Sequence, residues 1–98
     1  MTITSNTNGA QCIIAVKGRI DTVTAPELEK EVLSVSADVT ELVIDFEALD
    51  YISSAGLRVL LQAQKMMNKR GTMVVKNVNE TISEVFEVTG FSDILTIE

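Results

Sequence analysis

The run Leu42-Val43-Ile44-Asp45-Phe46 is apolar at nearly every position and stops abruptly, and a long stretch with helical spacing begins soon after it at Ser54. A short apolar run without alternation suits a central strand buried on both faces. A buried strand that feeds a helix returns by a crossover to a parallel neighbour, so the chain is predicted to be an α/β domain. Asp45 breaks the run. A carboxylate near the end of a buried strand needs hydrogen-bond partners or a shifted pKa. The free N–H groups of the next helix, or Ser53 and Ser54, are candidate partners, and the alternative is a structural anchor for the loop from Glu47 to Ile52.

The helix that follows is predicted from Ser54 to about Arg70. Leu57, Leu60, Leu61 and Met67 form its main apolar face, and Val59, Ala63 and Met66 widen it. Gly71 is expected just past its end, where Lys65, Lys69 and Arg70 match the negative end of the helix dipole. Ser53 is the expected N-cap, with Ile52 and Leu57 spaced as a hydrophobic staple. Capping occupies Ser53 and leaves the Ser54 hydroxyl free. A phosphoryl group added there would sit at the positive end of the helix, beside unpaired N–H donors. Taken alone, Ser-Ser at a helix start is usually only a plain cap.

The remaining elements fall on either side. Thr2-Ile3-Thr4 and Gln11 to Lys17 flank Asn8-Gly9, a pair suited to a tight hairpin, and Gly18 to Thr22 is expected to end the second strand. Both faces of that strand carry apolar residues, so both are expected to be covered in part. Thr24-Ala25-Pro26-Glu27 fits a capping box, opening a helix whose stripe is Ala25, Leu28, Val32 and Val35. Asp21 lies in the loop before it, as a turn residue or a functional one. Thr72 to Lys76 is a further strand, Asn77 or Asn79 caps a short helix carrying Ile82, Val85 and Phe86, Gly90 closes it, and Ile94 to Ile97 is a final strand or extended tail. The order β-β-α-β-α-β-α-β describes one domain, residues 1–98. It predicts a mixed sheet of four to five strands, with an N-terminal hairpin and then alternating helices and mostly parallel strands.

Composition narrows what such a domain can do. The net charge is −6, which disfavours nucleic-acid and anionic-membrane surfaces. No histidine is present and Cys12 is the single cysteine, so Ser-His or Cys-His catalysis, most metal sites and an internal disulfide are excluded. No cofactor, metal or enzymatic role is expected. No signal peptide or membrane span is evident, and a cytoplasmic monomer is the expectation.

The topology gathers residues that no single motif would. Helix N-termini that follow parallel strands share one edge, where α/β folds bind their ligands. Asp21, Thr22, Asp45 and the segment Ser53 to Arg58, with Ser54, Gly56 and Leu57, are predicted to meet there.

Gly18-x-Ile20-Asp21 before Thr24-Ala25-Pro26-x-Leu28, then Leu42-Val43-Ile44-Asp45, then Tyr51-Ile52-Ser53-Ser54-Ala55-Gly56-Leu57-Arg58, resembles the STAS domain of bacterial anti-sigma factor antagonists. The likeness extends to Val85-Phe86 and Gly90-Phe91. It implies a regulatory binding protein in partner switching and transcription regulation. The unphosphorylated antagonist binds an anti-sigma factor that is also a GHKL-type serine kinase, phosphorylation at the start of this helix ends binding, and a PP2C-type phosphatase restores it.

Many members read Asp-Ser-Ser/Thr-Gly-Leu here, with the phosphorylated residue directly before the glycine. Ala55 holds that place in this chain and Ser53 stands where the aspartate would be. The acceptor is therefore assigned to Ser54, with Ser53 as second choice. Leu57 and neighbouring apolar residues are expected to give contact area, with Asp21 and Arg58 as orienting charges. Two other roles remain open: a non-switching STAS scaffold or adaptor in a transporter or stress-signalling assembly, and a small-ligand or nucleotide-binding module.

Overall fold

The computed structural model describes residues 1–98. Its elements are β1 (Thr2–Asn8), β2 (Gln11–Ile20), α1 (Ala25–Leu33), β3 (Glu41–Asp45), β4 (Leu49–Ile52), α2 (Ser54–Asn68), β5 (Thr72–Lys76) and α3 (Glu80–Thr89), followed by a short 3-10 turn, Phe91–Asp93. Five strands form the sheet, in the order β1-β2-β3-β5, with β4 paired to β2. Only β1–β2 is antiparallel; β2–β3, β2–β4 and β3–β5 are parallel. This is the predicted mixed α/β architecture.

The hairpin turn is one residue further along than expected. Asn8 pairs with Gln11, so Gly9-Ala10 is the two-residue connection. Gly9 takes the left-handed φ of +63° and Ala10 does not, the pattern of a type II′ turn.

Strand β2 does not stop at Lys17. It continues through Gly18 to Ile20 by changing partners: residues 11–15 pair with β3, and 18–20 pair with β4. The register shifts between Gly18 and Arg19, and Gly18 has φ +98°, a backbone that only glycine adopts freely. The segment expected to be a loop, Glu47 to Ile52, therefore contains a strand. Only four residues long, β4 has apolar ends and an exposed middle, so periodicity alone did not mark it.

The helices share a single core on one face of the sheet. Cys12, Ile14, Val16, Leu42, Ile44, Met73 and Val75 point into it, meeting Leu28 and Val32 of α1, Leu60, Ala63 and Met67 of α2, and Ile82 and Phe86 of α3. The other face has no second layer. Ile13 is exposed there, and Val43 is buried in the row Ile13–Val43–Val74 by its neighbours on the sheet. The expected burial of β3 on both faces holds at Leu42, Val43 and Ile44, whereas the outer face of β2 is covered in part at Ala15 and open at Ile13.

Helix α2 ends at Asn68, short of Arg70, and Gly71 does not close it through a left-handed conformation. A Cβ on Gly71 would overlap the Thr40 carbonyl, so glycine is required there by close approach of two backbones. The Gly90 prediction holds: it ends α3 at φ +81°. Asn79 caps that helix, accepting from Ile82 N–H at 2.8 Å while its Nδ2 donates to Leu49 O at 3.0 Å. The tail from residue 94 forms one parallel bridge, Ile97 to Val75, beside β5.

Candidate functional site

Two strand ends and two helix starts converge. Strand β2 runs into α1 through Asp21–Thr24, and β4 runs into α2 through Ser53. The two strand-to-helix junctions are tied by Ser53 N–H donating to Ile20 O at 2.8 Å. Asp21, Thr22, Ser53 and Ser54 are therefore brought to one edge, as the topology predicted.

The junction before α1 is closed by its own side chains. Asp21 Oδ1 accepts from Val23 N–H at 2.9 Å and from Thr24 N–H at 3.0 Å, and Thr24 Oγ1 accepts from Asp21 N–H at 2.8 Å. This is the reciprocal pattern of a capping box, set one turn upstream of the predicted Thr24–Glu27 pair. Thr24 already has helix-like angles, φ −92° and ψ −21°, and its side chain makes no cap bond to α1, which rules out the expected role. The hydrogen bond from the Thr24 backbone holds the Asp21 carboxyl below its ordinary pKa, helped by the Thr24 side chain, Val23 N–H and the Arg19 charge and opposed by partial desolvation. Asp21 is an ionised structural cap at the site's border.

The junction before α2 is looser. Ser53 has the extended backbone of an N-cap, φ −92° and ψ 175°, but its hydroxyl accepts from Gly56 N–H at a long 3.4 Å. Leu57 N–H donates to Ser53 O at 3.0 Å, while the Ser54 and Ala55 N–H groups have no backbone or side-chain acceptor. Ser54 is exposed and its hydroxyl makes no hydrogen bond. Arg58, one turn on and on the same side of α2, is also exposed. A free hydroxyl, two free donors and a guanidinium share one helix end.

Two residues predicted to touch a partner do not face outward. Leu57 is buried in the core as the inner half of the staple with Ile52. Gly56 is buried as well, and a Cβ there would lie 2.6 Å from Ile52 Cγ1 and 2.7 Å from Ile20 Cγ2. Glycine at 56 lets α2 start hard against the ends of β2 and β4. Both residues position Ser54 and are not contact surface.

Asp45 also departs from its expected partners. Its Oδ1 accepts from Glu47 N–H at 2.9 Å and from Asn77 Nδ2 at 3.0 Å. It ties the β3–β4 turn to the β5–α3 turn, where Asn77 has φ +60°, and makes no bond to Ser53 or Ser54. Asp45 is thus the structural anchor and not a partner of the helix start.

Other surface residues were missed. Val23 is 82 % exposed on the rigid Asp21–Thr24 turn, and the Arg19 guanidinium lies 4.6 Å from the centre of the partly exposed Tyr51 ring. Between α1 and α2, Thr22, Pro26, Glu29, Ala55 and Arg58 line a groove of about 290 Å³. An apolar residue in a polar turn was the available signal for Val23; the Arg19–Tyr51 contact needed the β2–β4 pairing. No cluster of three metal-ligating side chains exists, and no helix is long and apolar enough to cross a membrane.

Known proteins share this fold. The family model of the STAS domain matches residues 2–98. The anti-sigma-B factor antagonist of Bacillus subtilis is 31% identical, over 97% of this chain and 86% of its own length. The crystal structure of an anti-sigma factor antagonist from Mycobacterium paratuberculosis superposes with TM-score 0.88 at 28% identity, covering 98% of this chain and 83% of that one. SpoIIAA from Bacillus, solved in its phosphorylated form, shares the fold with TM-score 0.77 at 17% identity, covering 99% and 91%. With the family model matched over residues 2–98 and a relative 31% identical over nearly the whole chain, the chain belongs to the STAS domain family.

Proposed function

We propose that this chain is an anti-sigma factor antagonist, a regulatory binding protein and not a catalyst, whose partner-binding edge is switched at Ser54. The observation that carries the reading is the contrast within Ser53-Ser54: the first hydroxyl caps α2 and the second is exposed and unbonded at the same helix end. Relatives named as anti-sigma factor antagonists support the role. The partner is an anti-sigma factor of the GHKL serine-kinase type, which binds the unphosphorylated edge and phosphorylates it, with a PP2C-type phosphatase reversing the step.

Contact comes from the α1–α2 groove, lined by Thr22, Pro26 and Arg58, together with the exposed Val23 and Ser54 of the two helix-start turns. A phosphoryl group on Ser54 adds a charge of about −1.5 to −2. The free Ser54 and Ala55 N–H groups and the dipole of α2 stabilise it within the domain. At an interface the same charge must be desolvated, so binding is lost while the fold persists.

The test is site-resolved phosphopeptide mass spectrometry after incubation of the chain with ATP and GHKL-type serine kinases from its own cell. Modification at Ser54, lost in Ser54→Ala, is the expected result. Binding of such a kinase without any modification would overturn the switch and leave a constitutive adaptor.

A further inference from the structure

The two edges of the sheet are treated differently. Beyond β5, the tail covers the edge: Val75 N–H donates to Thr96 O at 2.9 Å, Glu98 N–H donates to Val75 O at 2.9 Å, and Lys76 pairs with Glu98 at 3.7 Å. Beyond β1 nothing covers the backbone. Strand β1 is seven residues long, Thr-Ile-Thr-Ser-Asn-Thr-Asn, exposed at all but Ile3. Its register with β2 is unbroken from Thr2–Lys17 to Asn8–Gln11. Proteins keep such edges from pairing with charge, proline, bulges or brevity. This strand has none of these, in a chain of net charge −6.

The free hydrogen-bonding groups can be assigned. A two-residue connection makes Asn8–Gln11 a hydrogen-bonded pair, and bonded pairs alternate along an antiparallel ladder. Asn6, Thr4 and Thr2 therefore bond to β2, while Thr7, Ser5 and Ile3 turn their N–H and C=O groups outward.

We propose that β1 pairs with β1 of a second copy of this chain, antiparallel about Ser5, joining two sheets into one. In that register Thr2 faces Asn8 of the second copy, Ile3 faces its Thr7, and Thr4 faces its Asn6. The two Thr–Asn pairs match donors with acceptors on the outer face, and Ile–Thr is a favourable β-branched pair on the inner one. No charge meets a like charge across the two-fold axis. This uncharged self-complementarity favours a second copy over a strand of another protein. The surface is distinct from the Ser54 edge, so pairing through it is independent of the proposed switch. A single edge strand buries less than the roughly 1,200 Å² of a stable interface, so the dimer forms only at high protein concentration.

The experiment is sedimentation equilibrium of the full chain from micromolar to millimolar concentration, with variants at Ser5. The wild type should move from monomer towards dimer mass across the series. Ser5→Pro removes an outward N–H, keeps the β1–β2 backbone ladder, loses only the 3.6 Å contact of Ser5 Oγ with Cys12 Sγ, and should hold the chain monomeric. Ser5→Lys and Ser5→Glu, each alone, place like charges on the two-fold axis and should also stay monomeric, while an equimolar mixture of the two should recover dimer. Should Ser5→Pro fail to fold, the Lys/Glu pair decides. A wild type that stays monomeric throughout, a Ser5→Lys variant that still dimerises, or a mixture that does not recover dimer would each overturn the proposal.

Discussion

The starts of α1 and α2 lie side by side, yet one is sealed and the other open. At the first, Asp21 and Thr24 satisfy each other's backbone with contacts of 2.8 to 3.0 Å. At the second, Ser53 reaches Gly56 N–H at only 3.4 Å, and two N–H groups and the Ser54 hydroxyl are left free. The difference teaches how one edge can be both rigid and switchable. Under the switch proposed for Ser54, the sealed turn would fix the shape a partner meets, and the open helix end would receive a charge without breaking any bond that holds the fold.

That contrast can be broken deliberately. The largest expected effect is from Gly56→Ala, because its Cβ would fall within 2.7 Å of both Ile20 and Ile52 side chains, each in the core. Overpacking of this kind costs about 1–3 kcal/mol. Urea denaturation should show it, and an unchanged midpoint would mean that α2 is not seated as tightly as described. Asn79→Ala, which removes two short hydrogen bonds from α3, should cost about 1–2 kcal/mol. Ser53→Ala should cost less, about 0.5 kcal/mol, at the low end for a lost N-cap because its hydrogen bond is long. A reversed order of those two variants would refute the reading of Ser53 as a weak cap.

The smallest effect concerns charge at the sealed turn. The folded state lowers the Asp21 pKa, so its ionised form contributes stability above the unfolded carboxyl value and loses it as pH falls through the folded one. Asp21→Asn keeps an acceptor and removes the charge. Its melting temperature should lie slightly below wild type at neutral pH, and the gap should close as acid carries the pH through the lowered Asp21 pKa. A gap that stays constant with pH would show that ionisation is irrelevant to the cap.

Much of this was legible in the sequence, because period and punctuation are local. The apolar run of β3, the stripe of α2 and the αL glycine after α3 needed no tertiary information. Strand β4 was hidden because its pairing depends on β2 changing partner at Gly18, far away in sequence. The α1 cap was displaced because Thr-x-x-Glu and Asp-x-x-Thr overlap at Thr24, and only the backbone angles at Thr24 decide between them. The burial of Leu57 was legible in the apolar stripe of α2 and the staple with Ile52, but Gly56 looked like a contact residue because its burial is set by tertiary structure. It follows from how closely α2 approaches Ile20 and Ile52, a distance no motif encodes.

If Ser54 is the switch proposed above, a negative charge there ends binding without disturbing the fold. The most direct test is the affinity of Ser54→Asp and Ser54→Ala for the unphosphorylated chain's anti-sigma factor, measured by titration calorimetry alongside each variant's melting temperature. Ser54→Asp should bind at least about tenfold more weakly, equivalent to roughly 1.4 kcal/mol, with melting temperature and Ser54→Ala affinity unchanged. Equal affinity for Ser54→Asp and wild type would contradict it.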